Sequence, residues 1–197
     1  AGLSQPGEDN EKMQERLARF EIKDSFSYKG YPVTIYDVFG AKGIPLRTTV
    51  SEMGPQLFAR VLDLNDVQTS LLTVAFKIAD DNGLLLFDTK DVKALLNYVA
   101  DNASDFEMDY GHIAKASVST IIRSIVALES EGADQFFGAP AINISDFFSV
   151  NMNGQGMINI LDAESLINKP KLYSSFMLYL LSELFEVLPE VGDLDTP

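Results

Sequence analysis

The chain has 197 residues, 46% of them hydrophobic and 22% charged, which is globular usage and excludes a disordered, collagenous or low-complexity protein. It contains no cysteine, so disulfides, thiolate metal sites and iron–sulfur clusters are excluded together. The net charge of -14 is uneven: residues 1–98 carry 11 Lys/Arg against 14 Asp/Glu, and residues 99–197 carry 4 against 15, so the second half repels phosphate backbones and anionic lipid.

The opening, Ala1 to Asn10, is Gly, Ser, Pro and acid without periodicity or an initial methionine, and it reads as a surface linker cut from something larger. Met13, Leu17 and Phe20 then recur at helical spacing within 11–22. On that helix Arg16, Arg19 and Lys23 interleave with Glu15, Glu21 and Asp24, which describes a solvated face better than a basic groove. Residues 32–39 alternate and are rich in β-branched and aromatic side chains, and 46–51 repeats that character after Gly40, Gly43 and Pro45. Two adjacent strands are expected, with a long-looped hairpin as one arrangement.

From Gly54 the period changes to 3.6, with Pro55 suited to a first helical turn and Leu57, Val61 and Leu64 on one stripe. Asn65 and Asp66 are cap candidates for a helix whose buried face carries Leu71, Leu72, Ala75 and Ile78, and Asn82–Gly83 supplies a left-handed stop. Asp88 caps the next helix, 103–111 reads as a polar, acidic loop, and the periodicity over 112–131 ends at Gly132. Four or five helices are therefore expected in this region. A short capped helix starts at Ser145 or Asp146, the run 156–161 (GMINIL) reads as a buried strand, and Pro170 opens a last helix that Pro189 ends. The acidic stretch 190–197 reads as a linker.

Nucleotide-binding and hydrolytic motifs are missing: there is no G-x-x-x-x-G-K-[ST], G-x-G-x-x-G, H-E-x-x-H or G-x-S-x-G. His112, the only histidine, reads as a surface or capping residue. The pairs Asp80–Asp81 and Glu183/Glu186 could ligate a hard cation, but a helix end and a solvated face explain them better, and Asp88 with Asp91 reads as a helix cap. Phe136, Phe137, Phe147 and Phe148 lack interleaved cations and read as core or interface aromatics. Arg47, at a turn-to-strand junction, has the placement that phosphate recognition or an arginine finger requires, although a salt bridge to Asp37 or Glu52 is the preferred reading.

Several segments in order carry a family likeness: PLRTTVSEMGPQLFARVLDLNDV at 45–67, IADDNGLLLFD at 78–88, YVADN at 98–102, FFGAP at 136–140 and PKLYSSFMLYLLSELFEVLPEVGD at 170–193. Together they resemble the bacterial HerA-like P-loop ATPases, relatives of FtsK. The resemblance implies a helix-rich α/β chain lying between the Walker A and Walker B elements, a helical insertion flanked by strands of a RecA-like ATPase domain. It implies four parts: a linker and short helix (1–31), a strand pair (32–53), a helical subdomain (54–135) and a strand–helix return to the ATPase core (136–197). It further implies an intact chain that hydrolyses ATP with magnesium, acts as a helicase-like DNA translocase and assembles as a homo-oligomeric ring. No cofactor residue is expected in this piece, which alone would be inert, and Arg47 is the candidate arginine finger. The acidity fits a protein-partner face better than DNA, and no membrane partner is expected. The alternative is a self-contained acidic protein-interaction module. With its longest apolar run only six residues, Phe176 to Leu181, against about 20 needed to span a bilayer, and no basic-plus-apolar leader, the chain is expected to be cytoplasmic.

Overall fold

Asn10 accepts a hydrogen bond from the Met13 amide and starts the first helix of the chain, α1 (Glu11–Arg19). A computed structural model describes residues 2–188 and Gly192. Only Leu17 of the expected apolar stripe is buried, because the helix ends at Arg19 and leaves Phe20 57% exposed.

Strand β1 (Val33–Asp37) lies at the centre of a three-stranded sheet, between β2 (Ile44–Pro45) and β3 (Ile158–Asp162). All pairing is parallel, with Tyr36 opposite Ile44 and Val33 through Asp37 opposite Ile158 through Asp162. A hairpin is thereby overturned. The loop 38–43 doubles back tightly enough that a Cβ on Gly43 would meet the Ile35 carbonyl oxygen at 2.4 Å, so only glycine passes there. The second expected strand is also shorter than 46–51: Thr48 makes an isolated parallel bridge to Phe137, and Val50 already begins a helix. The reason is local, since Thr49 accepts from the Glu52 amide while Glu52 accepts from the Thr49 amide, a reciprocal cap that starts the helix. β3 is displaced by two residues from its expected start and occupies an edge, half-exposed rather than fully buried.

The helices follow as α2 (Val50–Val61), α3 (Asp66–Asp81), α4 (Thr89–Asp101), α5 (Ala103–Tyr110), α6 (Lys115–Ser130), the single turn α7 (Ala133–Phe136) and, after β3, α8 (Pro170–Val187). A 3₁₀ turn at Ile144–Phe148 stands where a short capped helix is expected, and Asn143 caps it. Gly54 breaks α2 at φ 73°, so its second part begins at Pro55. Asn65–Gln68 and Asp88–Asp91 form reciprocal caps on α3 and α4. An Asp88→Ala variant is expected to lose about 1 kcal/mol, read as a lower urea midpoint at unchanged slope.

The acidic segment 103–111 is helical rather than a loop. Phe106 and Tyr110, four residues apart, pack against the core, and the Tyr110 hydroxyl donates to Asp81 at 2.8 Å, so tertiary contacts order a segment of weak intrinsic periodicity. Counting α5 and α7, six helices rather than four or five lie between β2 and β3. Helix α2 packs between α3 and α8, while α6 packs on α3 and α4. Phe58, Phe136, Phe137 and Phe176 are fully buried, with Phe58 edge-on to Phe137 at 5.4 Å and Phe136 edge-on to Phe176 at 5.7 Å. These rings join the bundle to α8, each burial contributing about 1.5–3 kcal/mol. The helix-rich α/β expectation holds. Pro189 and, apart from Gly192, the stretch 190–197 lie outside the described residues.

Candidate functional site

Arg47 lies on the extended chain between β2 and α2, and its neighbours lock its backbone on both sides. The Leu46 amide donates to the Asp37 carbonyl, the Thr48 amide to Phe136, and the Ile142 amide to the Arg47 carbonyl itself. The guanidinium Nη1 reaches the Ala139 carbonyl at a long 3.4 Å, and Nε is buried without a partner. The preferred salt bridge is absent, because both candidate carboxylates are engaged elsewhere. Glu52 caps α2 and accepts from the Thr48 hydroxyl at 3.3 Å. Asp37, only 2% exposed, accepts from the amides of Phe39 (3.0 Å), Ala41 (2.9 Å) and Lys42 (2.9 Å). Among the described residues Arg47 therefore has no carboxylate partner.

Ligands of open parallel sheets bind beyond the carboxyl ends of the strands, here the turn after β1 and the end of β3. ATP phosphates there would need free backbone amides and an uncommitted lysine. The Asp37 carboxylate takes the amides of Phe39, Ala41 and Lys42 and its carbonyl that of Gly40, and Lys42 is held by Glu164 and by Asp162 at 3.5 Å. Its Glu164 hydrogen bond, and then the Asp162 charge, raise the Lys42 pKa. These residues do not fit a nucleotide cradle. Among the described residues no three acidic or histidine side chains converge as a metal site. The other acid pairs have local roles: Asp81 pairs with Lys77 and Tyr110, and Asp88 caps α4. His112 is exposed, in the loop before α6, with Nδ1 2.8 Å from Glu107. Phe136 and Phe137 are core residues, Phe147 meets Tyr36 edge-on at 5.0 Å, and Phe148 is exposed.

Two polar clusters escape sequence reasoning. In one, Glu129 of α6 accepts from Thr89 at 2.5 Å and Lys93 at 2.7 Å of α4. Burial pushes its carboxyl up, but those two hydrogen bonds outweigh it and leave the pKa below the ordinary value. Protons therefore bind the unfolded chain more readily. The contribution is present above the unfolded pKa and is lost as pH falls from about 4.3 downward. A Glu129→Gln variant is expected to flatten the stability-versus-pH curve in that acid range, measured by urea titration; an unchanged slope would remove the linkage. In the other cluster, Tyr179 of α8 is pushed up to about 12 by burial, with Thr48 acting in the opposite sense. Glu183, one turn on, is raised by burial and by the charges of Glu186 and Glu52. The first cluster has no sequence signal, since its members come from separate elements; in the second, only the Glu183/Glu186 pair is legible, and Glu183 is half-buried near Glu52 rather than on a solvated face.

The family model described as "Helicase HerA-like C-terminal" matches residues 1–197. No curated protein and no solved structure matches the chain.

Proposed function

The chain belongs to the HerA-like helicase C-terminal family, and on that premise we propose that it is the helix-rich part of an ATP-driven DNA translocase. The observation that carries the reading is the family match along the whole of residues 1–197. The parallel sheet with helices after its strands supports it, as the architecture expected of an ATPase core. ATP and magnesium are then held by Walker elements outside these residues, in keeping with a turn after β1 whose Phe39, Ala41 and Lys42 amides are taken by Asp37. Copies assemble as a ring, and Arg47 serves as the cation offered to a neighbouring subunit; its fixed backbone and its lack of a carboxylate partner support that role. The acidic second half faces protein partners rather than DNA.

The test is ATP hydrolysis, with and without duplex DNA, by a protein that carries this chain together with Walker elements. Stimulation by DNA is the expected result. Turnover absent in both conditions would overturn the reading in favour of an acidic interaction module. The 197-residue chain alone is expected to bind no Mg-ATP in calorimetry at millimolar nucleotide, because its sequence carries no G-x-x-x-x-G-K-[ST] loop to cradle the phosphates; saturable binding would contradict it.

A further inference from the structure

The chain contains two Asn–Gly steps, Asn82–Gly83 and Asn153–Gly154. An asparagine followed by glycine is the pairing in which the side-chain amide is most open to attack by the next backbone nitrogen, because glycine has no Cβ to obstruct the approach and adopts the torsions that ring closure requires. Local sequence therefore treats the two steps alike. Their settings in the fold differ.

Asn82 ends α3, and its side chain is part of the stop: Nδ2 donates to the Ile78 carbonyl at 2.7 Å, and the Asn82 amide donates to the carbonyls of Ile78 and Ala79. Its Cγ cannot swing towards the Gly83 nitrogen without giving up the Nδ2 bond. Asn153 lies at the tip of the hairpin that leads into β3, where the Gly154 amide closes a turn on the Asn151 carbonyl at 2.9 Å and Val150 bridges Gly156 in antiparallel fashion. The side chain of Asn151 frames this turn. Its Oδ1 accepts from the amides of Asn153 (2.9 Å) and Gln155 (3.0 Å), and its Nδ2 donates to Gln155 Oε1 at 3.0 Å. Asn153 itself is exposed, and its carboxamide has no hydrogen-bond partner among the described residues. Both glycine amides donate to a carbonyl three residues back, Gly83 to Asp80 and Gly154 to Asn151, so that restraint is common to the two steps. The hold on the asparagine side chain is what separates them.

We propose that Asn153 is a site of spontaneous deamidation in the folded chain and that Asn82 is protected. Hydroxide from the solvent removes the Gly154 amide proton, and the Gly154 nitrogen then bonds to Asn153 Cγ. The Cγ–Nδ2 bond breaks, and Nδ2 leaves as ammonia with a proton taken from water, so that a five-membered succinimide remains. Water reopens the ring. Cleavage between Cγ and the Gly154 nitrogen leaves an aspartate at 153, whereas cleavage at the main-chain carbonyl leaves an isoaspartate whose backbone runs through Cγ. Both products carry a negative charge that the asparagine lacks, and the isoaspartate adds one atom to the main chain inside a turn that Asn151 holds by hydrogen bonds to both sides of Gly154. The modification therefore acts on the hairpin that delivers the chain to the edge strand β3. It does not depend on the proposed function.

The test is a time course of the 197-residue chain at mildly alkaline pH and body temperature, read by peptide mapping with mass spectrometry, once in native buffer and once in concentrated guanidinium chloride. In native buffer the peptide containing Asn153 is expected to gain one mass unit and to divide into aspartate and isoaspartate forms. The peptide containing Asn82 is expected to convert about tenfold or more slowly, because its 2.7 Å side-chain hydrogen bond must break before the ring can close. In guanidinium chloride both are expected to convert at comparable rates, since only the fold distinguishes them. Asn153→Gln, whose longer side chain would have to close a six-membered ring, is expected to abolish the product at that position with an unchanged circular dichroism spectrum. Comparable rates at the two sites in native buffer, earlier conversion of Asn82, or an intact Asn153 over the period in which the unfolded chain reacts would overturn the proposal. A preference for Asn153 that persists in guanidinium chloride would overturn it too, by removing the fold as the cause.

Discussion

An Arg47→Ala variant of an ATPase-competent protein containing this chain is expected to lose about 10³-fold in kcat while keeping its assembly and its ATP affinity. The expectation rests on three features of the residue. Its carbonyl accepts from the Ile142 amide and the amides of its neighbours Leu46 and Thr48 are tied to Asp37 and Phe136, its guanidinium hydrogen-bonds among the described residues only to the Ala139 carbonyl at 3.4 Å, and neither Asp37 nor Glu52 is free to neutralise it. Removing a half-buried cation with an unpartnered Nε costs the fold little, of the order of 1 kcal/mol or less. Turnover and stability therefore separate the two roles. Arg47→Lys retains the charge but not the planar fork, so it is expected to recover only part of the rate. Turnover within a few-fold of the unsubstituted protein, at normal assembly, would leave Arg47 as a packing residue only.

Asp37→Ala is expected to be strongly damaging to the fold, costing about 3 kcal/mol or more. The carboxylate ends the central strand and accepts three amides from the turn that brings the chain back into parallel register beside β1. Truncation orphans donors at a position that is 2% exposed, each worth about 1–3 kcal/mol where water cannot replace the acceptor. Asp37→Asn separates the contributions: one oxygen remains to accept, but the amide nitrogen cannot, so an intermediate loss is expected. Equilibrium urea unfolding measures both variants. An alanine variant within about 0.5 kcal/mol of the parent would show that the turn holds without this acceptor.

The hydrogen bonds of Asn65 and Asp88 explain why much of the helical framework is legible in the chain itself, whereas the Thr49–Glu52 cap begins inside a stretch that reads as a strand. A cap involves residues within three positions of one another, and the apolar faces of α3, α4 and α6 repeat every three or four, so both signals are complete within one segment. The family likeness is legible for a similar reason, since it resides in ordered strings of residues and needs no geometry. Segment 103–111 marks the limit: its composition is that of an acidic loop, and only packing of Phe106 and the Tyr110–Asp81 contact makes it helical.

What the amino-acid sequence determined by itself is therefore the helix-rich α/β class, the capped starts of α3 and α4, and membership of the HerA-like family. Tertiary structure alone decided the parallel rather than hairpin pairing of β1 and β2, the use of Asp37 as an acceptor for its own turn, and the unpaired state of Arg47. Thr48 bridges Phe137, and Arg47 meets Ala139 across the same junction. Such contacts join residues far apart in the chain, and their partners are chosen by which elements pack together rather than by any local pattern.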